Sequence, residues 1–189
     1  MEIRTLSRFF PTKSHSDSSP ILEDLDILSI ACSLMQRLLQ MEPGEESGSL
    51  AAHITECCRL AAALFLFFLF ENHRPDSTRL INSLVHKLQT ALSSILTSTR
   101  SGNTLMIWLL SVGGVAALNL PAERDWFVSH LAELAAELEL KSWDEMNSCL
   151  RVVVWIDVMD DYPFLKLWEE ILVNVSRATT EERICALGY

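Results

Sequence analysis

From residue 20 onward the chain repeats one pattern, apolar side chains separated by steps of three and four, which is the spacing that lines one face of an α-helix. Leu22, Leu25, Leu28, Cys32, Met35 and Leu39 predict a helix over residues 20–41, with Ser19 as its N-cap and Asp24 and Asp26 near the positive end of its dipole. Pro43 to Gly48 ends it as a loop. A second helix over Ser49 to Asn72 contains the run Leu60 to Phe70, which is apolar on every face and predicts burial on all sides. In the third, capped by Asp76, Leu80 or Ile81 leads a stripe through Leu84, Leu88, Leu92 and Ile95. Ser98 to Asn103 makes the next turn.

The most informative stretch runs from Thr104 to Trp143. Met106 to Ala117 is apolar but carries Gly113-Gly114 at its centre, and each interior glycine costs a helix about 1 kcal/mol relative to alanine. Close approach of a neighbouring backbone is the compensation expected, which makes this a buried central helix. Pro121, suited to a first helical position, opens the next element. Its stripe is Phe127, Leu131, Leu134 and Leu138, with Arg124 in line and Glu133, Glu137 and Glu139 facing away. Ser142 with Glu145 forms a capping box, the glutamate reaching back to the serine amide. Trp143, Met146, Leu150, Val153 and Asp157 then share a face. A last strong helix, Tyr162 to Val175, presents Leu165, Trp168, Ile171 and Val175, and Thr179 with Glu182 starts a short terminal turn.

No alternating strand pattern and no repeat interrupts this series. The expected fold is all-α, about seven helices around the buried apolar helix, in a single domain over residues 20–189. Residues 1–19, which mix Arg4, Arg8 and Lys13 with Phe9-Phe10-Pro11 and a serine-rich run, lack periodicity and read as a flexible N-terminal arm.

Arg124 and Asp157 are charges at unexpected positions. Arg124 lies in the first turn of its helix, where the dipole disfavours a cation, and Asp157 in the last turn of another, where it disfavours an anion. Both continue apolar stripes, and unpaired buried charge is costly, so the two are expected to meet as a hydrogen-bonded ion pair.

Composition narrows the functional classes. With 49% hydrophobic residues the chain is built to bury a core, and 25 acidic against 15 basic residues give a net charge of −10, which repels a phosphate backbone. Direct nucleic-acid binding by this chain is not expected. The five cysteines, Cys32, Cys57, Cys58, Cys149 and Cys185, lie mostly within helical patterns with no signal-peptide pattern before them, so free thiols in a reducing compartment are expected. The Leu60–Phe70 run falls short of the roughly 18 residues that cross a bilayer, so no membrane span is expected.

Candidate chemistry is sparse. His53 and Cys57, one helical turn apart, supply two potential zinc ligands where a site needs more. Asp157, Asp160 and Asp161 offer oxygen ligands for a divalent cation but fit a helix end followed by an acidic turn. Ser111 lacks the flanking glycines and preceding strand of a nucleophile elbow. These residues imply no catalytic, cofactor or metal site. The five tryptophans, Trp108, Trp126, Trp143, Trp155 and Trp168, read as core anchors, with a ligand cavity between helices as the alternative.

The apolar helix with Gly113-Gly114 around Trp108, then Arg124-Asp125-Trp126-Phe127, Ser142-Trp143, Trp155-Ile156-Asp157 and Leu167-Trp168-Glu169-Glu170, occur in an order that resembles the C-terminal regulatory domain of fungal zinc-cluster transcription factors. The resemblance covers roughly residues 51–175 and lacks the Cys-x-x-Cys pairs of the zinc cluster. It implies a regulatory domain that receives a small-molecule inducer or a protein partner, a second copy of the chain included, and acts in the nucleus, or in the cytoplasm where separated from a zinc cluster. The alternative from another class is a stand-alone helical ligand-binding or interaction module, with an enzyme behind it.

Overall fold

A computed structural model describes residues 49–69, 77–96, 104–154 and 161–186, together with Ser33, Gln36, Arg37 and Gln40. The predicted N-terminal arm, the Pro43–Gly48 loop, the Asp76 cap and the Ser98–Asn103 turn lie outside these residues, as do the stripe positions of the helix predicted over 20–41. Its four described residues are helical and exposed, as the polar face of that helix should be. The fold is all-α, and besides those four the described residues form six helices: α1 Leu50–Leu69, α2 Thr78–Leu96, α3 Thr104–Ala116, α4 Pro121–Glu137, α5 Trp143–Val153 and α6 Tyr162–Ala186. They fall into two compact units, Met1–Thr99 and Arg100–Tyr189.

In the first unit α1 and α2 pack against each other. Ser49 caps α1, its Oγ accepting from the Ala52 amide at 3.1 Å. Every residue from Leu60 to Phe67 is buried, as the all-round apolar run requires. The helix is longer than that run because its more polar first half is also helical. The span Leu50–Phe68 is long and apolar enough to cross a bilayer by length and composition, and half of its apolar window is buried inside the protein. On α2 the buried residues are Leu84, Val85, Leu88, Leu92 and Ile95; Leu80 is exposed and Ile81 half-buried.

The second unit is arranged around α3, which packs against α4, α5 and α6, while α4 also packs against α6. Met106 to Ala117 are all buried. Pro121 occupies the start of α4, and Arg124, Phe127, Leu131 and Leu134 are buried along the predicted stripe, with Val128, Ala132 and Ala135 widening it. The helix ends in a Schellman turn, in which the amides of Glu139 and Leu140 donate to the carbonyls of Ala136 and Ala135. Glu139 has φ 53°, a left-handed conformation usually left to glycine.

The α5 cap differs from expectation in one partner. Ser142 Oγ accepts from the Glu145 amide at 3.3 Å, but the Glu145 carboxylate reaches past the serine to the Lys141 amide at 2.6 Å. The segment after Val175 also departs from the prediction, since α6 continues unbroken to Ala186 with no separate terminal turn. Thr179 is helical there, so the residues that suggested an N-cap lie inside the helix.

Cys57, fully buried in α1, illustrates what this burial does to a titrating group. Desolvation, helped by the neighbouring Cys58 and Glu56, pushes its thiol from the ordinary 9.0 up to about 12. The folded form therefore keeps a proton that the unfolded chain releases above pH 9. Stability should fall as pH rises through the window between those values, by at most about 1.4 kcal/mol per pH unit from this group. Urea melts of the parent and Cys57→Ala from pH 8 to 11 check this; equal slopes in the two proteins would contradict it.

Candidate functional site

Four of the residues singled out in the sequence, Gly113, Gly114, Arg124 and Phe127, meet at the contact of α3, α4 and α6. Side chains rather than a backbone fill the space left by the glycine pair. A Cβ on Gly113 would lie 2.6 Å from Cζ of Phe127, and one on Gly114 would lie 3.1 Å from both terminal carbons of Leu167. The expected neighbouring backbone is thus replaced by an aromatic ring from α4 and a leucine from α6. Phe127 is fully buried and Leu167 nearly so. The two glycines make a notch in α3 that receives one large side chain from each neighbouring helix, which offsets their low helix propensity through packing.

Arg124 closes the same notch on its polar side. Its Nη1–H donates to the Gly114 carbonyl, and its Nε–H and Nη2–H donate to the two carboxylate oxygens of Glu170 on α6, each at 2.9 Å. This bidentate fork gives the guanidinium both a counter-charge and a fixed orientation. Arg124 is 8% exposed, whereas the Glu170 side chain is 47% exposed. Asp157, the expected partner, lies outside the described residues; among the described residues the carboxylate on Arg124 is that of Glu170. Glu170 immediately precedes Ile171 and follows Leu167 and Trp168 on the buried face of α6, so it stands at the margin of that face, where a carboxylate reaches an inward-pointing arginine without full desolvation.

The position of Arg124 suits a helix other than its own. Gly114 belongs to the last turn of α3, whose carbonyls form the negative end of that dipole. A cation misplaced at the start of α4 is therefore well placed at the end of α3.

The tryptophans are distributed differently. Trp108 is buried in α3, and its Nε1–H donates to the Val154 carbonyl at 3.1 Å, tying α3 to the end of α5. Trp168 is buried in α6. Trp126 is half-buried, edge-on to Phe127 at 5.0 Å and tilted over His130 at 4.2 Å between ring centroids. Trp143 is half-buried at the start of α5, and Trp155 lies outside the described residues. Gly113, Gly114, Arg124 and Phe127 thus come together, Trp126 borders them, and Trp108 makes its hydrogen bond elsewhere, to α5.

Sequence reasoning missed Leu167 and Glu170 as members of this cluster. The available signal was the second glutamate of Leu167-Trp168-Glu169-Glu170, one residue before a stripe position, in a helix whose arginine partner needed an anion.

The cluster holds helices in register and contains no nucleophile with an adjacent base. Among the described residues no three His, Cys, Asp or Glu side chains gather as metal ligands. His53 directs Nδ1 to the Ser49 carbonyl of its own helix at 3.0 Å. Of the three aspartates considered for a cation, only Asp161 is described. Ser111 is fully buried, and its hydroxyl has no hydrogen-bond partner among the described residues.

The family model for the fungal specific transcription factor domain matches residues 2–162 of the chain. No curated protein and no solved structure matches it.

The two glycines should respond differently to a methyl group. Gly113→Ala should destabilise by about 1–3 kcal/mol, because a packed ring must move. Gly114→Ala should stay within about 1 kcal/mol of the parent, since leucine methyls yield and alanine favours the helix. Thermal melts of the two variants decide; the reverse order would contradict the notch.

Proposed function

The chain belongs to the fungal specific transcription factor domain family and so has a role in transcriptional regulation, and on that premise we propose that it acts as the regulatory module of such a factor. It receives a protein partner or a small-molecule inducer in the nucleus and contributes no DNA contacts of its own. The observation that carries this reading is the match over residues 2–162, most of the chain, to a transcription factor domain rather than an enzyme class.

Two features support the finer part. A net charge of −10 opposes binding to a polyanion, whose affinity for proteins comes largely from neutralised phosphates. The chain also contains no Cys-x-x-Cys pair of the kind a zinc cluster uses. The all-α frame, with helices clamped to one another by a single guanidinium, fits a module that transmits binding through helix positions.

The experiment has two arms. Fused to a heterologous DNA-binding domain in a fungal host, the chain should change the output of a reporter that carries the matching sites. Alone, in a gel-shift titration at physiological salt, it should leave duplex DNA free up to concentrations of about 1 μM, where even non-specific binders begin to associate. Sequence-specific retention below that concentration would contradict the absence of DNA contacts, and a silent fusion that is folded and nuclear would contradict the regulatory role.

A further inference from the structure

The Arg124 side chain does more than join two helices. It closes a ring of hydrogen bonds around the turn between α3 and α4. The Ala117 amide donates to the carbonyls of Gly113 and Gly114 at 3.0 and 3.2 Å, the Leu120 amide to the Ala117 carbonyl at 2.9 Å, and the Arg124 amide to the Leu120 carbonyl at 2.8 Å. The guanidinium of Arg124 then returns to the Gly114 carbonyl. The connection is held shut from both ends by one residue. Leu118 stands at its tip with 70% of its surface exposed.

What holds the guanidinium in that ring is α6. Without the Glu170 carboxylate, a cation with only 8% exposure would keep, among the described residues, a single carbonyl as its side-chain partner, and a buried charge so poorly compensated turns towards water. Turning outward breaks the bond to Gly114. The same glycine is touched by α6 a second time, through Leu167. Displacing α6 thus removes both supports of the α3 end together.

We infer that the α3–α4 turn and the first half of α6 are one conformational device, in which release of Glu170 from Arg124 opens the turn and frees its tip at Leu118. Because the Glu170 carboxylate is half-exposed, the device is accessible from solvent on the α6 side and acts on a turn carried by the buried helix α3. It couples two surface features, the Glu170 edge of α6 and the Leu118 tip, through one buried guanidinium.

Amide hydrogen exchange read by NMR on the full chain tests it, since local openings expose the amides of whichever segments open together. In Glu170→Gln the amides of Ala117 and Leu120 and those of residues 165–171 should accelerate together by about tenfold, the effect of losing a hydrogen-bonded charge partner. Amides of Met146 to Leu150 in α5 should stay within about twofold of the parent, being outside the opening unit. Acceleration confined to α6 would overturn the inference, and so would an equal rise at every amide, which reports global destabilisation. If the variant fails to fold, the parent protein still decides: exchange at Ala117, Leu120 and residues 165–171 should show one opening free energy and one urea dependence. Two distinct values would overturn the coupling.

Discussion

The second unit of this protein depends on how one guanidinium is satisfied. Arg124 sits nearly buried in the first turn of α4, where its own helix repels it, and two outside groups make the position tenable: the Gly114 carbonyl at the end of α3 and a carboxylate on α6. Each covers a different part of the cost. The carbonyl satisfies a donor and benefits from the α3 dipole, and the carboxylate supplies the counter-charge and the planar fork geometry. Because the three groups belong to three helices, satisfying the cation fixes where those helices meet.

The glycine pair provides the apolar half of the same arrangement. A helix that is buried on every side cannot tell its neighbours where to pack by amphipathicity, since all its faces are alike. Gly113 and Gly114 break that uniformity by opening a notch that Phe127 and Leu167 fill, while Trp108 fixes the approach of α5 through its hydrogen bond to Val154. Register in this core comes from a few specific devices set into a surface that is otherwise uniformly apolar.

Much of the frame was legible in the sequence, because stripes at helical spacing and caps are local signals. The stripe through Arg124, Phe127, Leu131 and Leu134, the Ser142 cap and the burial of the Leu60–Phe67 run all follow from neighbours within a turn or two. Partner choice is not local. Arg124 announced that it needed an anion, but nothing within α4 says which of several carboxylates on later helices would arrive, and Glu170 was masked by its position beside the stripe. The glycines showed that something packs closely; whether a backbone or a ring does so depends on the interhelical geometry. The left-handed Glu139 was also illegible, since a glutamate carries no sign of the Schellman turn that glycine would have advertised.

The central claim is that Arg124 and Glu170 act as one unit with the end of α3, and a double-mutant cycle on stability measures that directly. Arg124→Met leaves the Gly114 carbonyl with the Ala117 amide alone and Glu170→Leu leaves the guanidinium with that carbonyl but without its counter-charge, so each should cost more than its lost contact alone. The double variant should recover part of the loss, with a coupling energy of about 1–2 kcal/mol after allowance for the solvent screening of a half-exposed carboxylate. Effects that add within about 0.5 kcal/mol would show two independent side chains and contradict the account.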